Sequence, residues 1–165
     1  MTIATTTPAP GATLRPATPA DLADVEQLLA AAGLPLVGVR EALPAFVVAE
    51  ARGALVGVAG LEMCGDDALL RSVAVDPAWR GHGVGRALVT RLIADAEGRG
   101  TRALYLLTMS AEGYFPKFGF HEVTRDAVPP AVRETAEFRG ACPASATVMR
   151  RPIRPIENAT GRAAS

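Results

Sequence analysis

The spacing of apolar positions changes along the chain, and each change marks an element. Leu69, Leu70, Val73 and Val75 form a mostly apolar run that stops at the turn pair Asp76-Pro77, so a strand is predicted there. Beyond a glycine-rich loop, Gly85, Leu88, Val89, Leu92, Ile93 and Ala96 recur every three or four residues, while Arg86, Thr90, Arg91, Asp95 and Glu97 point elsewhere. That is one apolar helix face, ended by Gly98 and Gly100. Upstream, residues 13–17 read as a first strand, and Thr18-Pro19 opens a helix with Thr18 as N-cap and Leu22, Val25, Leu28 and Leu29 as its buried face. Gly33, Pro35 and Gly38 interrupt the chain before a short segment at 39–43. Residues 46–50 and 54–63 are two strands joined by the hairpin signal Arg52-Gly53. Downstream, 102–108 is a buried strand, parallel to the one before the central helix because a βαβ crossover joins them. A short helix at 111–117, a strand at 120–124 and a C-terminal strand at 146–150 complete an α/β fold with a mixed, mostly antiparallel sheet.

Composition narrows the function. The 165 residues suggest one domain, at 13–150, with tails at 1–12 and 151–165 whose Thr, Pro and Ala have little to bury. Seventeen basic and seventeen acidic residues balance, so no global field recruits nucleic acid or an anionic membrane, and a small molecule is the expected partner. Apolar stretches fall far short of the ~20 residues of a membrane helix. Two cysteines, Cys64 and Cys142, make neither a disulfide framework nor a zinc spacing, and the N-terminus lacks the charge and apolar run of a signal peptide; a cytoplasmic protein without a metal site is expected.

The chemistry lies in the loop between central strand and central helix. Glycines let backbone approach an anion, and a helix start leaves N–H groups unpaired, so Gly81, Gly83 and Gly85 before a helix suit a phosphate. No lysine follows any of these glycines, which excludes a Walker loop, and Arg86 occupies the place of the third glycine of a dinucleotide fingerprint. The pattern that fits is R-x-x-G-x-G, as Arg80, Gly83 and Gly85, and here the chain resembles the GNAT family of acetyl-coenzyme A-dependent N-acetyltransferases. The resemblance extends over about residues 13–150, including AEGYFPKFGF at 111–120. It implies that acetyl-CoA is the cosubstrate. Backbone N–H groups from about His82 to Arg86 would hold its pyrophosphate and the strand holding Val73 and Val75 its pantetheine arm, which makes Val73, Val75, Arg80, Gly81, His82, Gly83, Val84, Gly85 and Arg86 the expected cofactor-binding residues. It also implies two splayed parallel strands with the thioester between them.

Acetyl transfer needs a neutral amine, a polarised carbonyl and a proton for the leaving thiolate. Polarisation is assigned to a main-chain N–H near Val75. The family commonly places its proton donor four residues before the Gly-Phe pair, where this chain has Phe115; Tyr114, one residue earlier, is the candidate acid, with packing as the alternative. Glu62, late in an apolar strand, is the candidate base, with a solvated outer-face residue as its alternative. His82 and His121 read as surface residues and both cysteines as structural. The strings LLRSVAVDPAWRGHGVGRAL, YLLT, GYFPKFGF, VPPAVRETAEF and ACPASATVM look like the arsenic-resistance N-acetyltransferases of the family. That closer resemblance implies direct acetylation of the α-amino group of a glutamate-like antimetabolite, arsinothricin or phosphinothricin. Its anionic groups need cations, for which Arg71 and Arg133 are the candidates, although Arg71 could instead pair with Glu62. Alternatives are another small amine, a lysine-bearing protein, or a non-catalytic acetyl-CoA sensor. Homodimers are common in the family, and the strand at 146–150 is a candidate contribution to one.

Overall fold

Arg52 and Gly53 both adopt positive φ, 55° and 80°, as a two-residue hairpin requires. They join β2 (Phe46–Ala51) to β3 (Ala54–Cys64), and Gly65 joins β3 to β4 (Asp67–Val75). The computed structural model describes residues 11–153. With β1 (Thr13–Pro16), β5 (Ala103–Thr108), β6 (His121–Glu122) and β7 (Thr147–Pro152), these strands form one sheet in the order β1-β2-β3-β4-β5-β7-β6. Only β4 and β5 are parallel, as the crossover through α3 (Val84–Gly98) dictates.

Side chains alternate across the sheet and give it two covered faces. Val47 and Ala49 of β2 pack with Val84, Leu88 and Leu92 of α3 on one face. Phe46 and Val48 pack with Val25 and Leu29 of α1 (Leu22–Ala31) on the other, joined by Val39 of α2 (Val39–Ala42). Thr18 caps the chain entry as expected, and a 3-10 turn, Pro19–Asp21, precedes α1.

Three expectations change. The segment 111–117 is a turn rather than a helix, with a single 3-10 stretch, Phe115–Phe118, because Pro116 supplies no N–H and Gly119 leaves at φ 94°. The strand at 120–124 contracts to His121–Glu122, since the ladder with β7 covers these two residues and ends with the Val123 N–H bond to Val148 O at 2.9 Å, before the chain turns into a 3-10 stretch at Arg125–Ala127. The domain is longer than 13–150. Ala12 is buried, β7 runs through Pro152, and Ile153 is buried behind it. The remaining tail positions, 1–10 and 154–165, lie outside the described residues. Because β7 pairs with β5 on one side and β6 on the other, it is an interior strand. No helix among the described residues is long and apolar enough to cross a membrane.

Candidate active site

β4 and β5 are paired only at Ala68–Leu104 and Leu69–Tyr105. Beyond that point they separate, so the edge of β4 from Leu70 to Val75 has no strand partner on the β5 side. Such an edge offers backbone hydrogen-bonding groups to a ligand. The gap opens into a cleft of about 690 Å³.

β4 also carries a bulge. Val58 pairs with Ala74 and Gly60 with Arg71, so two steps on β3 match three on β4, and Ser72 takes up the extra residue at φ 62°. The bulge reverses which face each later residue occupies. Ala68 and Leu70 before it, and Val73 and Val75 after it, all pack in the α3 cluster, whereas Ala74 packs in the α1 cluster. The break in the ladder is therefore at Ser72 and Val73, and Val75, where polarisation of a carbonyl is expected from sequence, stays paired with Gly57. A three-residue step from Leu70 to Val73 in an otherwise period-two strand is the signal for it.

The cleft runs from the splay to the start of α3. Gly83, at φ 84°, is its N-cap, and the first helical bond comes from Ala87 N–H to Gly83 O, 3.0 Å. The amides of Val84, Gly85 and Arg86 have no helical acceptor, and no side chain caps them. Val84 itself is buried against the sheet. Gly81 (φ 82°) and the exposed His82 complete the loop, and the His82 ring nitrogen Nδ1 lies 3.0 Å from the Arg80 carbonyl. Arg80 donates from Nε to Val75 O at 3.2 Å and lines the cleft beside Gly85. A second hollow, lined by Arg86, Lys117 and Arg151, adjoins the loop across Tyr114. Lys117 and Arg151 escape pattern analysis because they lie far from the motif in sequence.

At the other end of the cleft, the Arg71 side chain is fully buried and shared among three segments. Nη1 donates to Glu62 Oε1 at 2.9 Å, Nη2 to the Val37 carbonyl at 2.7 Å and Nε to Ser72 Oγ at 3.0 Å, with Glu137 Oε2 at 3.4 Å from Nε. Gly38 permits this approach, since a Cβ there would stand 3.0 Å from Nη1. Glu137 opens a π-type turn, Glu137–Ala141, is 5% exposed and lines the cleft. Burial pushes its carboxyl above the ordinary value against the opposing pull of Arg71, and Glu62 pushes in the same direction as burial. The Cys142 thiol, beside Glu137, is pushed up to about 11, first by burial and then by the Glu137 carboxyl.

The structure brings Arg71, Val73, Val75, Arg80, Gly85 and Tyr114 to one cleft. Glu62 instead lies behind Arg71 and lines a separate hollow with Val37, Glu41 and Met63. Arg133, at the end of α4 (Pro130–Arg133), is exposed and outside the cleft wall. The Tyr114 hydroxyl faces Gly85, 3.5 Å from where a Cβ would sit. Its ring packs edge-on against Phe115 and Phe118, and burial raises its pKa, so it stays protonated near neutrality. The cleft residues that sequence reasoning does not single out are Ser72 and Glu137. Among the described residues no group of three or more His, Cys, Asp and Glu side chains could hold a metal ion.

Comparison with known proteins finds relatives of this mixed sheet. Residues 43–122 match the acetyltransferase (GNAT) domain family. The mixed sheet with its parallel β4–β5 pair flanked by helices is the GNAT fold. The Mycobacterium tuberculosis protein Rv2747, solved in complex with CoA and the ligand NLQ, superposes with a TM-score of 0.74 at 28% identity over 86% of this chain and 99% of that one. An N-acetylglutamate synthase of Neisseria gonorrhoeae, solved with coenzyme A and N-acetyl-glutamate, shares the GNAT fold, with a TM-score of 0.75 at 22% identity over 87% of this chain and 35% of that one. In sequence, an amino-acid acetyltransferase of Mycobacterium tuberculosis is 39% identical over 92 residues, 53% of this chain and 52% of the relative. The [ribosomal protein bS18]-alanine N-acetyltransferase of Escherichia coli is 38% identical over 63 residues, 36% of this chain and 43% of the relative. The matched GNAT region thus spans about half the length of these curated relatives.

Proposed function

We propose that this chain is an acetyl-coenzyme A-dependent N-acetyltransferase that passes the acetyl group directly to a small primary amine. The observation that carries the reading is the placement, in one cleft, of the unpaired edge of β4 and the uncapped start of α3. Acetyl-CoA supplies a thioester carbonyl and a thiolate leaving group. The amides of Val84, Gly85 and Arg86 hold its pyrophosphate, with Arg80 and the Arg86, Lys117 and Arg151 hollow neutralising phosphate charge. A helix start contributes only roughly 0.3 to 1 kcal/mol to an exposed anion, against about 8 kcal/mol for micromolar binding, so the β4 edge at Val73 and Val75 is needed as well. Backbone freed from the ladder at Ser72 and Val73 polarises the carbonyl, and Tyr114 donates the proton to the departing thiolate.

Direct transfer suits the thiols. Cys64 and Cys142 are both pushed up to about 11, which leaves roughly one part in ten thousand as thiolate at neutral pH. Neither is an activated nucleophile.

For the acceptor, the names of the sequence relatives, an amino-acid acetyltransferase and an alanine N-acetyltransferase, support an amine. The resemblance of the C-terminal strings supports the α-amino group of arsinothricin or phosphinothricin. One observation favours a second reading. Arg71 is shared by Glu62 and Glu137, so one guanidinium faces two carboxyl groups and no guanidinium edge is reserved for an acidic ligand. That arrangement favours an ammonium without a second anionic group. Thiol release from acetyl-CoA, measured across phosphinothricin, arsinothricin, glutamate, alaninamide, an aminoglycoside and a lysine peptide, separates the readings. Turnover confined to the glutamate analogues supports the antimetabolite assignment, and faster turnover of alaninamide supports the second. Coenzyme A binding with no turnover on any amine sinks both and leaves the acetyl-CoA sensor. In the same assay Tyr114→Phe is expected to lower kcat by roughly 100-fold; an unchanged kcat assigns that proton to solvent.

A further inference from the structure

We infer that Glu137 is the group that takes the proton from the acceptor ammonium, held in place for that task by Arg71 and Cys142. The inference rests on the acetyltransferase reading and adds to it the residue that makes the amine nucleophilic.

A small amine arrives protonated at neutral pH and has no lone pair until a base removes a proton. The base must reach the cleft, be ionised before the ammonium arrives, and hold a proton well enough to accept one. Two carboxylates stand near the acceptor end, and the geometry separates them. Glu62 has its Oε1 committed to Arg71 Nη1 at 2.9 Å and lies outside the cleft wall. Glu137 lines the cleft, and its nearest cation is at the looser distance of 3.4 Å. The groups facing Glu137 are Arg71 and Ser72 from β4, Glu62 from β3 behind Arg71, and Cys142 from its own turn, with Arg125 close to Cys142. One guanidinium thus serves two carboxylates. Two carboxyl groups against one guanidinium leave the cleft end without a spare cation to repel an ammonium, and burial raises the proton affinity of Glu137 above that of an ordinary glutamate.

The turn holds this carboxylate rigidly. Arg139 N–H bonds Thr135 O at 3.0 Å, Ala141 N–H bonds Ala136 O at 3.0 Å and Cys142 N–H bonds Glu137 O at 3.1 Å, with Gly140 at φ 131° closing the loop. The Cys142 thiol lies beside the carboxylate and, with its pKa at about 11, keeps its proton at neutral pH. Cys142 is therefore a positioning residue, as is Arg71.

The step balances as follows. One ammonium proton passes to the Glu137 carboxylate, leaving a neutral amine. The amine nitrogen attacks the thioester carbonyl carbon, the C–N bond forms and the C–S bond breaks. A second nitrogen proton reaches the thiolate by way of Tyr114, the amide keeps the third, and Glu137 releases its proton to solvent.

The test is the pH dependence of kcat/KM for wild type, Glu137→Gln and Glu137→Asp, with phosphinothricin or alaninamide, whichever turns over faster, and coenzyme A binding by calorimetry as the control for folding. In wild type, activity is expected to rise with pH through a limb above the ordinary glutamate value. Glu137→Gln is expected to bind coenzyme A as wild type does and to lose roughly 10²- to 10⁴-fold in kcat/KM. Its residual activity should follow only the acceptor's own amine titration. Glu137→Asp, which keeps a carboxylate, should retain the limb at a reduced rate and serves in place of the glutamine variant if that one loses coenzyme binding. A glutamine variant that is slow but keeps the wild-type limb, or an aspartate variant that loses it, overturns the assignment and leaves the acetyltransferase reading intact. A wild type that binds coenzyme A and acetylates no amine overturns both.

Discussion

Asp21, at the entry to α1, shows how a single carboxylate can tie down a chain end. It accepts from the Thr18 N–H at 2.7 Å and from Arg15 Nη1 at 2.8 Å, and Arg15 in turn reaches Glu50 on β2 at 2.8 Å. These bonds hold its pKa at about 2, below the usual aspartate range, with the Arg15 hydrogen bond as the main cause. A depressed carboxylate stabilises the fold fully above the unfolded value and loses that contribution as pH falls through the folded one. Asp21→Asn should therefore melt below wild type at neutral pH, with the gap closing between about pH 4 and pH 2. Thermal melts across that range check it, and a gap independent of pH would locate the effect in packing. At this scale the pattern Thr18-Pro19 is enough to place the helix start, but nothing in sequence connects Arg15 to both Asp21 and Glu50.

Among the elements, β3 depends on glycines that no period reveals. A Cβ on Gly60 would fall within the Phe46 ring, and one on Gly57 would meet Val84 Cγ1 at 2.9 Å and Leu88 Cδ1 at 3.0 Å. These two glycines let α1-side and α3-side residues close onto opposite faces of the same strand. Gly60→Ala should cost roughly 1–3 kcal/mol by overpacking, read as a lower denaturant midpoint; an unchanged midpoint would mean that Phe46 swings aside freely. Strands and helices with an uninterrupted period are legible before any coordinates, as α3 and β2 are. The bulge at Ser72 is legible only as a broken period, and the short helix expected at 111–117 fails because a local apolar spacing cannot weigh Pro116 and Gly119 against tertiary packing.

Across the whole molecule, two chain segments far apart in sequence complete the site. Glu137 reaches Arg71 across 66 positions and Arg151 reaches the Phe118 carbonyl across 33, the latter on a strand placed beside β5 by the sheet order. A ligand that grips β4, α3 and the Lys117 region together binds only the folded chain. Coenzyme A at 100 times its Kd should then add about 2.7 kcal/mol, raising Tm by roughly 5–10 °C for a domain of this size. Thermal scans over a coenzyme A titration test this, and a Tm that does not move would remove coenzyme binding from the proposal.

The order of residues alone determined the strand, glycine loop and helix at the centre, the parallel crossover and the uncapped helix start after Gly83, because those features depend on neighbours within a few turns of chain. Tertiary structure decided which charges work together. Arg71 is a buried strut rather than a free cation, Glu62 lies behind it, Arg133 stays in solvent, and Glu137 faces the cleft. The reason is physical: the environment of a charge is set by what folds against it, and here that is a loop, a strand and a C-terminal turn separated by dozens of residues.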